Sequence, residues 1–559
     1  MLQHQTVMRM GGVLALLVIG ISGALAAADE SASYTVSGGT AEVSTTATYD
    51  GEGHAVEVGE TGFEVVGAPH QDGLIVNGGG KLTLLSGAAV TVASDASSNK
   101  TVFMRVGYGT EGSLVMQSGS ALTVGSSERY ANFQVGQGAS GTNGTVTQNG
   151  GAITVFGSFN VGVNGGKGVY TINGGSLTFD HTGATATDGR TSLISIGMNN
   201  ATTSFGTSSG TMNIAGGLVE AKPVEPGAAI GIIIGNRAYD ARPGYSGQAT
   251  NSGNAGAGEG IVNQTGGRFR IGSGANLYLS GQGNGTYNLN DGTLEIGGWS
   301  LHTRYGGSTT STYALNLGGG TIKVIGSALS TDVNATLVAG STSTIDTNEL
   351  GATWSGVLSG TGELTKAGAA TLTLSGSNTF SGGTTVSAGT LLVSGALTNS
   401  AVTVESGATL AGRGTIKSVA VLGGGTLALG DTRGTMNITD DLTLAGTSTV
   451  ALYLASDSSY DHLAVGGTIF ANGILSVQLA GTYSPLTGAS FDLFDGTFSG
   501  VFSDPQLPSL GTGLMWNTSA LYTDGVISVQ AIPEPATWAG LAGLLGLAVA
   551  MWHRRRAHA

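Results

Sequence analysis

Residues 144–151 read Gly-Thr-Val-Thr-Gln-Asn-Gly-Gly, and this pattern returns four times along the chain. The later copies start at Gly168, Gly210, Gly260 and Gly285, at spacings of 24, 42, 50 and 25 residues. The short spacings indicate a structural unit of 24 to 25 residues. The two wide gaps then contain either larger loops or a degenerate copy of the unit.

Aligning the copies places apolar residues in fixed columns. One column before the Gly-Gly pair holds Val146, Tyr170, Met212, Val262 and Tyr287. Two columns after it hold Ile153, Leu177, Val219, Phe269 and Leu294, then Val155, Phe179, Ala221, Ile271 and Ile296. Side chains two positions apart lie on one face of a strand, and Gly accepts the positive φ of a tight corner. Each unit is therefore predicted to be strand, Gly corner and strand.

A further column mixes amides with aliphatic residues: Gln148, Ile172, Ile214, Gln264 and Leu289. A buried Gln needs hydrogen-bond partners, and the sequence does not identify them. An earlier copy of the unit, from Gly112 to Val124, is shifted by one residue after the corner.

One strand–corner–strand unit cannot bury its own apolar face, whereas stacked units cover one another and form a continuous narrow core. The predicted fold is therefore all-β, a parallel β-helix or β-solenoid. A propeller or a series of β-sandwiches is the rival, but these folds have longer periods and stronger hairpin signals.

Residues 360–393 contain the sharpest internal signature. They read Gly-Thr-Gly-Glu-Leu-Thr-Lys-Ala-Gly-Ala-Ala-Thr-Leu-Thr-Leu-Ser-Gly-Ser-Asn-Thr-Phe-Ser-Gly-Gly-Thr-Thr-Val-Ser-Ala-Gly-Thr-Leu-Leu-Val. This segment resembles the autotransporter-associated β-strand repeat of exported bacterial passenger domains. The matching positions are Leu364, Thr365, Lys366, Gly368, 371–374, Asn378, Gly382, Gly383, Val386, Gly389 and Leu391. The resemblance implies a right-handed parallel β-helix and supplies no catalytic residues.

The region from Tyr460 to Val529 also resembles the end of such passengers, with Tyr-Asp-His-Leu at 460–463 and Phe-Asp-Leu-Phe-Asp at 491–495. Its aromatic residues suggest a capping region that closes the solenoid. We expect no translocator barrel after it, since Val529 is followed almost at once by a different kind of tail.

That tail combines Pro533-Glu534-Pro535, an apolar run from Ala536 to Trp552 and the cluster Arg554, Arg555 and Arg556. It resembles the PEP-CTERM sorting signal of Gram-negative bacteria. The resemblance implies a transmembrane helix, a stop-transfer role for the arginines, and an exosortase-like enzyme of the inner membrane as partner. An ordinary C-terminal membrane helix would explain the apolar run and the arginines but not the Pro-Glu-Pro entry.

The N-terminus has the layout of a secretory signal peptide. Arg9 precedes an apolar stretch from Gly11 to Ala24, and Ala24-Leu25-Ala26 offers a small-x-small cleavage pattern. An uncleaved N-terminal anchor is the alternative. Cleavage after Ala26 is predicted, and the mature chain then starts near Ala27 and leaves the cytoplasm.

Composition limits the partners. The chain of 559 residues has 99 Gly, 9 Pro, no Cys and 10% charged residues. Removing Arg9 and the three tail arginines from the 21 basic residues leaves 17 against 35 acidic ones, a net charge of −18. Such a body disfavours nucleic acid and anionic membrane surfaces, which require basic patches. The absence of Cys excludes disulfides and thiolate chemistry.

The sequence contains no recognisable catalytic constellation, cofactor site or metal site. Thr207-Ser208-Ser209 between Gly206 and Gly210 matches the spelling of a nucleophile elbow but lacks a strand-to-helix context. Asp461 and His462 are adjacent on a predicted strand and should face opposite ways, in a solvated or capping role. The arginines at 237, 242 and 304 lie in insertions without a visible acidic partner; the insertions 199–210 and 237–258 are where binding would occur.

The sequence therefore predicts a structural or adhesive protein, not an enzyme, exported to the cell surface or exopolysaccharide matrix, with extracellular polysaccharide as a candidate partner. A β-helical polysaccharide lyase or hydrolase is the alternative. The predicted segments are the signal peptide (1–26), an irregular solenoid (27–358), the β-strand repeat region (359–430), a passenger-like C-terminal region (431–531) and the sorting signal (532–559).

Overall fold

The computed structural model of the chain describes residues 72–92, 102–127, 131–181, 193–199, 207–222, 230–236, 258–281, 283–304, 311–430, 433–532 and 535–556, together with six short strands between residues 23 and 66. The chain divides into two compact units, Met1–Ser400 and Ala401–Ala559. Both units are built of β-strands, and the described residues include one α-helix, near the C-terminus.

The strands up to the boundary between the units are β1 (Gly23–Leu25), β2 (Tyr34–Ser37), β3 (Thr40–Val43), β4 (Thr46–Tyr49), β5 (Ala55–Gly59), β6 (Gly62–Val66), β7 (Asp72–Asn77), β8 (Gly80–Leu84), β9 (Ala89–Val92), β10 (Val102–Tyr108), β11 (Gly112–Met116), β12 (Ala121–Val124), β13 (Ala131–Gln137), β14 (Asn143–Gln148), β15 (Ala152–Val155), β16 (Phe159–Val163), β17 (Lys167–Ile172), β18 (Ser176–Phe179), β19 (Leu193–Met198), β20 (Ser209–Ile214), β21 (Leu218–Ala221), β22 (Ile230–Asn236), β23 (Glu259–Ile271), β24 (Ala275–Tyr278), β25 (Asn284–Ile296), β26 (Leu301–His302), β27 (Tyr313–Leu317), β28 (Thr321–Val324), β29 (Leu329–Thr331), β30 (Ala335–Leu337), β31 (Thr342–Asp346), β32 (Ala352–Trp354), β33 (Leu358–Gly360), β34 (Glu363–Ala367), β35 (Thr371–Leu374), β36 (Ser377–Asn378), β37 (Thr384–Val386), β38 (Thr390–Val393) and β39 (Ala396–Val404).

Parallel stacking of successive coils organises the first unit. One sheet receives two strands from each coil, such as β14 and β15 and then β17 and β18, paired in parallel. A second sheet runs β2-β7-β10-β13-β16-β19-β22-β24-β26, also in parallel. Later coils form a third parallel sheet through β29, β32, β35 and β38. The predicted all-β fold with stacked parallel strands, the arrangement of a β-helix, is confirmed; β5 and β6 form a separate antiparallel pair.

The predicted columns are in direct register from coil to coil. Gly144 pairs with Gly168, Gly168 with Gly210, Gly210 with Gly260 and Gly260 with Gly285. Successive copies therefore lie in adjacent coils, also across the two wide gaps, and no degenerate copy is stacked between the paired strands. The earlier copy is also confirmed as shifted, because Gly112 pairs with Gly144 while Leu122 pairs with Ile153.

The core is the narrow space between the sheets. Its apolar columns are buried along the whole stack of described coils, including Val146, Met212, Ile153, Leu177 and Phe269. Phe159 of β16 packs against Phe133, Tyr170 and Phe179 with ring centroids 5.3 to 5.4 Å apart. Aromatic rings bury about 150–250 Å² each, so this cluster adds to the stabilisation from the aliphatic columns around it.

The buried glutamines find their partners inside the core. Gln148 donates from Nε2 to the carbonyl oxygens of Gly151 (3.1 Å) and Ser176 (2.9 Å), and its Oε1 accepts a hydrogen bond from the Tyr170 hydroxyl (2.5 Å). Gln264 repeats this with Gly267, Thr293 and Tyr287. Each glutamine amide therefore links the carbonyl group at its own Gly corner to the next coil. These partners explain how a column of aliphatic residues can also contain buried Gln.

Stacked glycines form the corners. Gly175 has φ +80°, and a Cβ there would lie 2.0 Å from the carbonyl oxygen of Gly151 in the coil before. Only Gly satisfies both the positive φ and this close approach of backbone to backbone.

Lys366, within the repeat-like segment, is fully buried. Its Nζ donates to the carbonyl oxygens of Ala367 (2.9 Å), Gly368 (2.8 Å) and Ala388 (2.9 Å). Burial lowers the pKa of Lys366 to about 8, and Asp346 opposes the shift. The lysine thus joins the turn after β34 to the next coil.

The second unit continues with β40 (Thr409–Gly412), β41 (Thr415–Val421), β42 (Thr426–Ala428), β43 (Thr435–Ile438), β44 (Leu442–Leu444), β45 (Thr449–Ser456), β46 (Ser459–Tyr460), β47 (His462–Ala471), β48 (Ile474–Leu479), β49 (Ser490–Asp492), β50 (Phe494–Gly500), β51 (Asp504–Gln506), β52 (Leu514–Asn517) and β53 (Val526–Ala531).

Two parallel sheets again stack within this unit, with β40, β42, β45, β48 and β51 in one sheet and β41, β43, β44, β47 and β50 in the other. The pattern changes near the end, where β49, β53 and β52 pair antiparallel. Phe491 of β49 contacts the rings of Tyr460, Tyr483 and Trp516.

The helix α1 spans Pro535–Arg556. Within the described residues no helix is both long enough and apolar enough to cross a membrane. The predicted transmembrane helix is therefore not supported.

Candidate functional site

The outward face of the first unit's two-strand sheet presents ordered columns of polar side chains. Thr91, Thr123, Thr154 and Thr178 lie in direct register in successive coils, each half-buried between core positions. The same column continues as Glu220, Arg270, Glu295, Lys323 and Asp346. We call this the second-arm column. The sequence analysis missed it, although reading the positions between the two core columns would have found it.

The charges in the second-arm column alternate in sign and are paired. Arg270 Nε lies 2.5 Å from Glu295 Oε2, and an Arg270 terminal nitrogen lies 3.5 Å from Glu220 Oε1. Lys323 Nζ lies 3.7 Å from Asp346 Oδ2. The hydrogen bond that Arg270 donates to Glu295 raises the pKa of Arg270. Each carboxylate in the column has a cationic neighbour, so each charge of the column has a partner within the protein.

A ladder of asparagines runs along the other arm of the coils. Asn263 Nδ2 donates to Asn213 Oδ1 (3.0 Å), Asn288 to Asn263 (2.8 Å) and Asn316 to Asn288 (2.8 Å). Asn213 in turn donates to the Thr171 hydroxyl (3.2 Å). Asn213, Asn263 and Asn288 each use one donor and one acceptor in the ladder, Asn316 uses one donor, and all four keep further hydrogen-bonding capacity for solvent or a ligand.

A second candidate lies in the second unit, where His462, Asp492 and Asp495 meet. The donor atoms of the three side chains lie within 4.8 Å of one another. His462 Nε2 is 3.4 Å from Asp495 Oδ2 and 4.0 Å from Asp492 Oδ1. Burial raises the pKa of Asp492; His462 opposes this shift and Asp495 adds to it. We call these three residues the His–Asp–Asp cluster.

The neighbour of His462, Asp461, lies between strands β46 and β47 and not within a strand. It is fully buried, however, so the expected solvated role is wrong for this residue. Its Oδ2 accepts hydrogen bonds from Arg433 (2.9 Å) and the N–H of Tyr453 (2.9 Å). These two donors take the place of water at Oδ2. Burial raises the pKa of Asp461.

Among the predicted sorting and processing residues, the structure describes Ala24, Pro535 and the three tail arginines. Pro535 is the first residue of α1, and Arg554, Arg555 and Arg556 lie exposed in its last turn, with Arg556 over the Trp552 ring at 4.1 Å. Ala24 lies in β1. Pro533, Glu534 and Ala26 lie outside the described residues, as do Arg237 and Arg242.

The elbow-like segment is a structural corner. Ser208 is fully buried, its hydroxyl accepts a hydrogen bond from the N–H of Gly165 (2.8 Å), and strand β20 begins at the next residue. A nucleophile elbow needs an exposed Ser before a helix, so Ser208 does not have that geometry.

Comparison with known proteins supports one of the three sequence resemblances. Residues 364–393 match the passenger-associated-transport-repeat family, which confirms the resemblance of this segment to passenger repeats. A search of curated proteins gave no match. Among solved structures, the Haemophilus influenzae Hap adhesin is similar at 14% identity and a TM-score of 0.28, over 89% of this chain. The similarity covers 64% of that adhesin's chain, just under two thirds of its length.

Proposed function

We propose that this protein is a passenger-like β-helical protein of the cell surface or exopolysaccharide matrix, with a structural and adhesive role and no catalytic one. The observation that carries this proposal is the outward face of the first unit, where each coil adds one polar side chain to the second-arm column and four successive coils add one amide each to the asparagine ladder. A surface built by stacking places corresponding side chains about 4.8 Å apart.

The chemistry of this face favours a neutral, hydroxyl-rich ligand. Amide groups of the asparagine ladder and hydroxyls of Thr123, Thr154 and Thr178 both donate and accept hydrogen bonds. The charges of the second-arm column are paired within the protein. A neutral polysaccharide that lies along the columns, across successive coils, can therefore bind without leaving a charge unpaired.

The same pairing argues against a glycan-cleaving enzyme. A glycosidase needs two carboxylates held free around the scissile bond. On this face Glu220 and Glu295 share Arg270, and Asp346 lies beside Lys323. Acid–base catalysis would require one of these acids to lose its partner.

Delivery is proposed to follow the PEP-CTERM route, with signal-peptide cleavage after Ala26 and an exosortase-like enzyme acting on the tail at the inner membrane. The support is the order of Pro533-Glu534-Pro535, the apolar helix α1 and the arginines that end it. A right-handed turn of the coils, as in the passenger repeats that residues 364–393 match, belongs to the same proposal.

The function is tested by incubating the purified full chain with neutral and acidic polysaccharides, and measuring both bound protein and newly formed chain ends. We expect retention on a neutral polysaccharide without new ends, and weaker retention when Asn263 and Asn288 are both replaced by Ala. As a matched control, Asn472 and Asn517 of the second unit are replaced by Ala, which should not change retention. Appearance of unsaturated or reducing ends would refute the structural role.

A further inference from the structure

The His–Asp–Asp cluster is assembled from three strands at a point where the chain changes sheets. His462 is the first residue of β47, Asp492 is the last of β49, and Asp495 is the second of β50. β49 pairs antiparallel with β53, whereas β50 pairs in parallel with β47, where Asp495 is opposite Ala464. Leu493, between the two aspartates, is buried and its carbonyl accepts the N–H of Leu463 (2.9 Å).

The imidazole of His462 is held with one nitrogen directed at the carboxylates. Its Nδ1 lies 3.4 Å from the Thr435 hydroxyl, on the neighbouring strand β43. Its Nε2 is screened from solvent and makes no hydrogen bond, although Asp495 Oδ2 is only 3.4 Å away. A buried nitrogen close to two carboxylates but hydrogen-bonded to neither is a polar group without the partner that its burial requires.

The spacing of the donor atoms suits a shared cation. Four-coordinate Zn²⁺ with bonds of about 2.1 Å holds its ligand atoms about 3.4 Å apart. The separation of His462 Nε2 from Asp495 Oδ2 is 3.4 Å, and that from Asp492 Oδ1 is 4.0 Å. Asp492 has a side chain 51% exposed and can close the longer gap by a small rotation.

We propose that His462, Asp492 and Asp495 bind a divalent transition-metal ion of the Zn²⁺ type. The nitrogen ligand selects against Ca²⁺ and Mg²⁺, which prefer oxygen ligands. Three protein ligands leave a coordination position for water, since the side chain of Asp495 is 64% exposed. The Thr435 hydroxyl, by accepting a hydrogen bond from Nδ1–H, keeps the lone pair on Nε2 for the metal.

Such an ion would connect the last parallel coil to the antiparallel strands that follow it. Because the metal binds the folded arrangement and not the unfolded chain, it would stabilise this end of the second unit, and the stabilisation would rise with the logarithm of the free metal concentration above the Kd. This proposal is independent of the proposed adhesive function.

The test uses the full chain, freed of metal with a chelator, and compares it with variants His462→Ala and Asp495→Asn. Affinity is measured by calorimetric titration with Zn²⁺, and coordination by the visible absorption of Co²⁺ added in its place. His302→Ala is the matched control, because His302 stacks on Tyr278 in the first unit and, among the described residues, belongs to no group of potential metal ligands. Circular dichroism checks folding, and the exposed Asp495→Asn change leaves the core untouched.

We expect the wild type and the His302→Ala control to bind Zn²⁺ equally, and both cluster variants to lose at least tenfold in affinity. Thr435→Val should weaken binding about tenfold through loss of ring orientation. Equal Zn²⁺ affinity in wild type, His462→Ala and Asp495→Asn would overturn the proposal, as would Mg²⁺ binding as tightly as Zn²⁺. Absence of measurable Zn²⁺ binding by the wild type would overturn it too.

Discussion

The hydroxyl of Tyr170 donates a hydrogen bond to the side-chain oxygen of Gln148 in the preceding coil, with both residues fully buried. Tyr287 and Gln264 make the same contact three coils later at 2.6 Å. In both pairs the glutamine nitrogen binds two carbonyl oxygens, one at its own Gly corner. Burial raises the pKa of Tyr170, so the hydroxyl remains a donor at any physiological pH.

This pair predicts non-additive mutational effects. Tyr170→Phe leaves the Gln148 oxygen buried without a donor and should cost about 1–3 kcal/mol of unfolding free energy. Gln148→Ile in the same chain should recover part of the loss, because Ile172 and Ile214 occupy this column in other coils. Urea unfolding of both single variants and the double variant measures the coupling. Additive effects would mean that the two side chains do not interact.

The stacking of the Gly corners predicts that adding a methyl group lowers the stability of the fold more at some glycines than at others. Gly175→Ala would place its Cβ 2.0 Å from the Gly151 carbonyl oxygen, whereas Gly87 has φ +85° and open space around it. Both changes incur the roughly 1–2 kcal/mol strain of a positive φ. Only Gly175→Ala must also push two coils apart, so it should shift the urea midpoint clearly more than Gly87→Ala. Equal shifts would contradict the close stacking of these corners.

Because Lys366 is buried and hydrogen-bonded, replacing it by an uncharged residue should lower the free energy of unfolding strongly. Lys366→Met leaves three carbonyl oxygens without their donor and should cost about 3 kcal/mol or more. Lys323, whose side chain is 39% exposed, is the control; Lys323→Met should cost no more than about 1 kcal/mol. Thermal unfolding of the two variants makes the comparison, and a Lys366→Met variant as stable as Lys323→Met would rule out this role.

His181 predicts a loss of stability in mild acid. It is buried, lies 3.3 Å from the Gly157 carbonyl, and burial lowers its pKa to about 4. Between pH about 6.5 and 4 the unfolded chain therefore binds a proton that the folded chain does not, so stability falls as the pH drops through this range. The contribution is at most roughly 3 kcal/mol. His181→Phe should flatten the pH dependence of the urea midpoint there; an unchanged slope would contradict the buried neutral histidine.

Much of the fold could be predicted from the sequence because each coil repeats its own pattern. The Gly corners and the spacing of two around Ile153 and Val155 were enough to place strands and register. The partners of Gln148 could not be predicted, because the Tyr170 ring reaches back from the next coil. From the sequence alone, the wide gaps could equally have held an extra coil. The direct pairing of Gly168 with Gly210 shows that the two copies lie in adjacent coils.

The candidate sites were harder to predict because their residues, too, come together only through contacts between separate strands. His462 meets Asp492 and Asp495 only because the chain changes sheets at Leu493, and no local pattern indicates that change. The burial of Asp461 depends on Arg433 from an earlier strand connection. The second-arm column, by contrast, follows the alignment of the repeats and was accessible to sequence reasoning.

The most direct test of the central claim, that a β-helical body is sorted to the surface by its tail, is the location of a variant with Pro533, Glu534 and Pro535 all replaced by Ala. Membrane fractionation and surface labelling of intact cells measure it, with the double variant Pro505→Ala and Pro508→Ala as a control for loss of proline elsewhere. The account predicts that the tail variant stays at the inner membrane while the control reaches the surface. Unchanged surface delivery of the tail variant would contradict it.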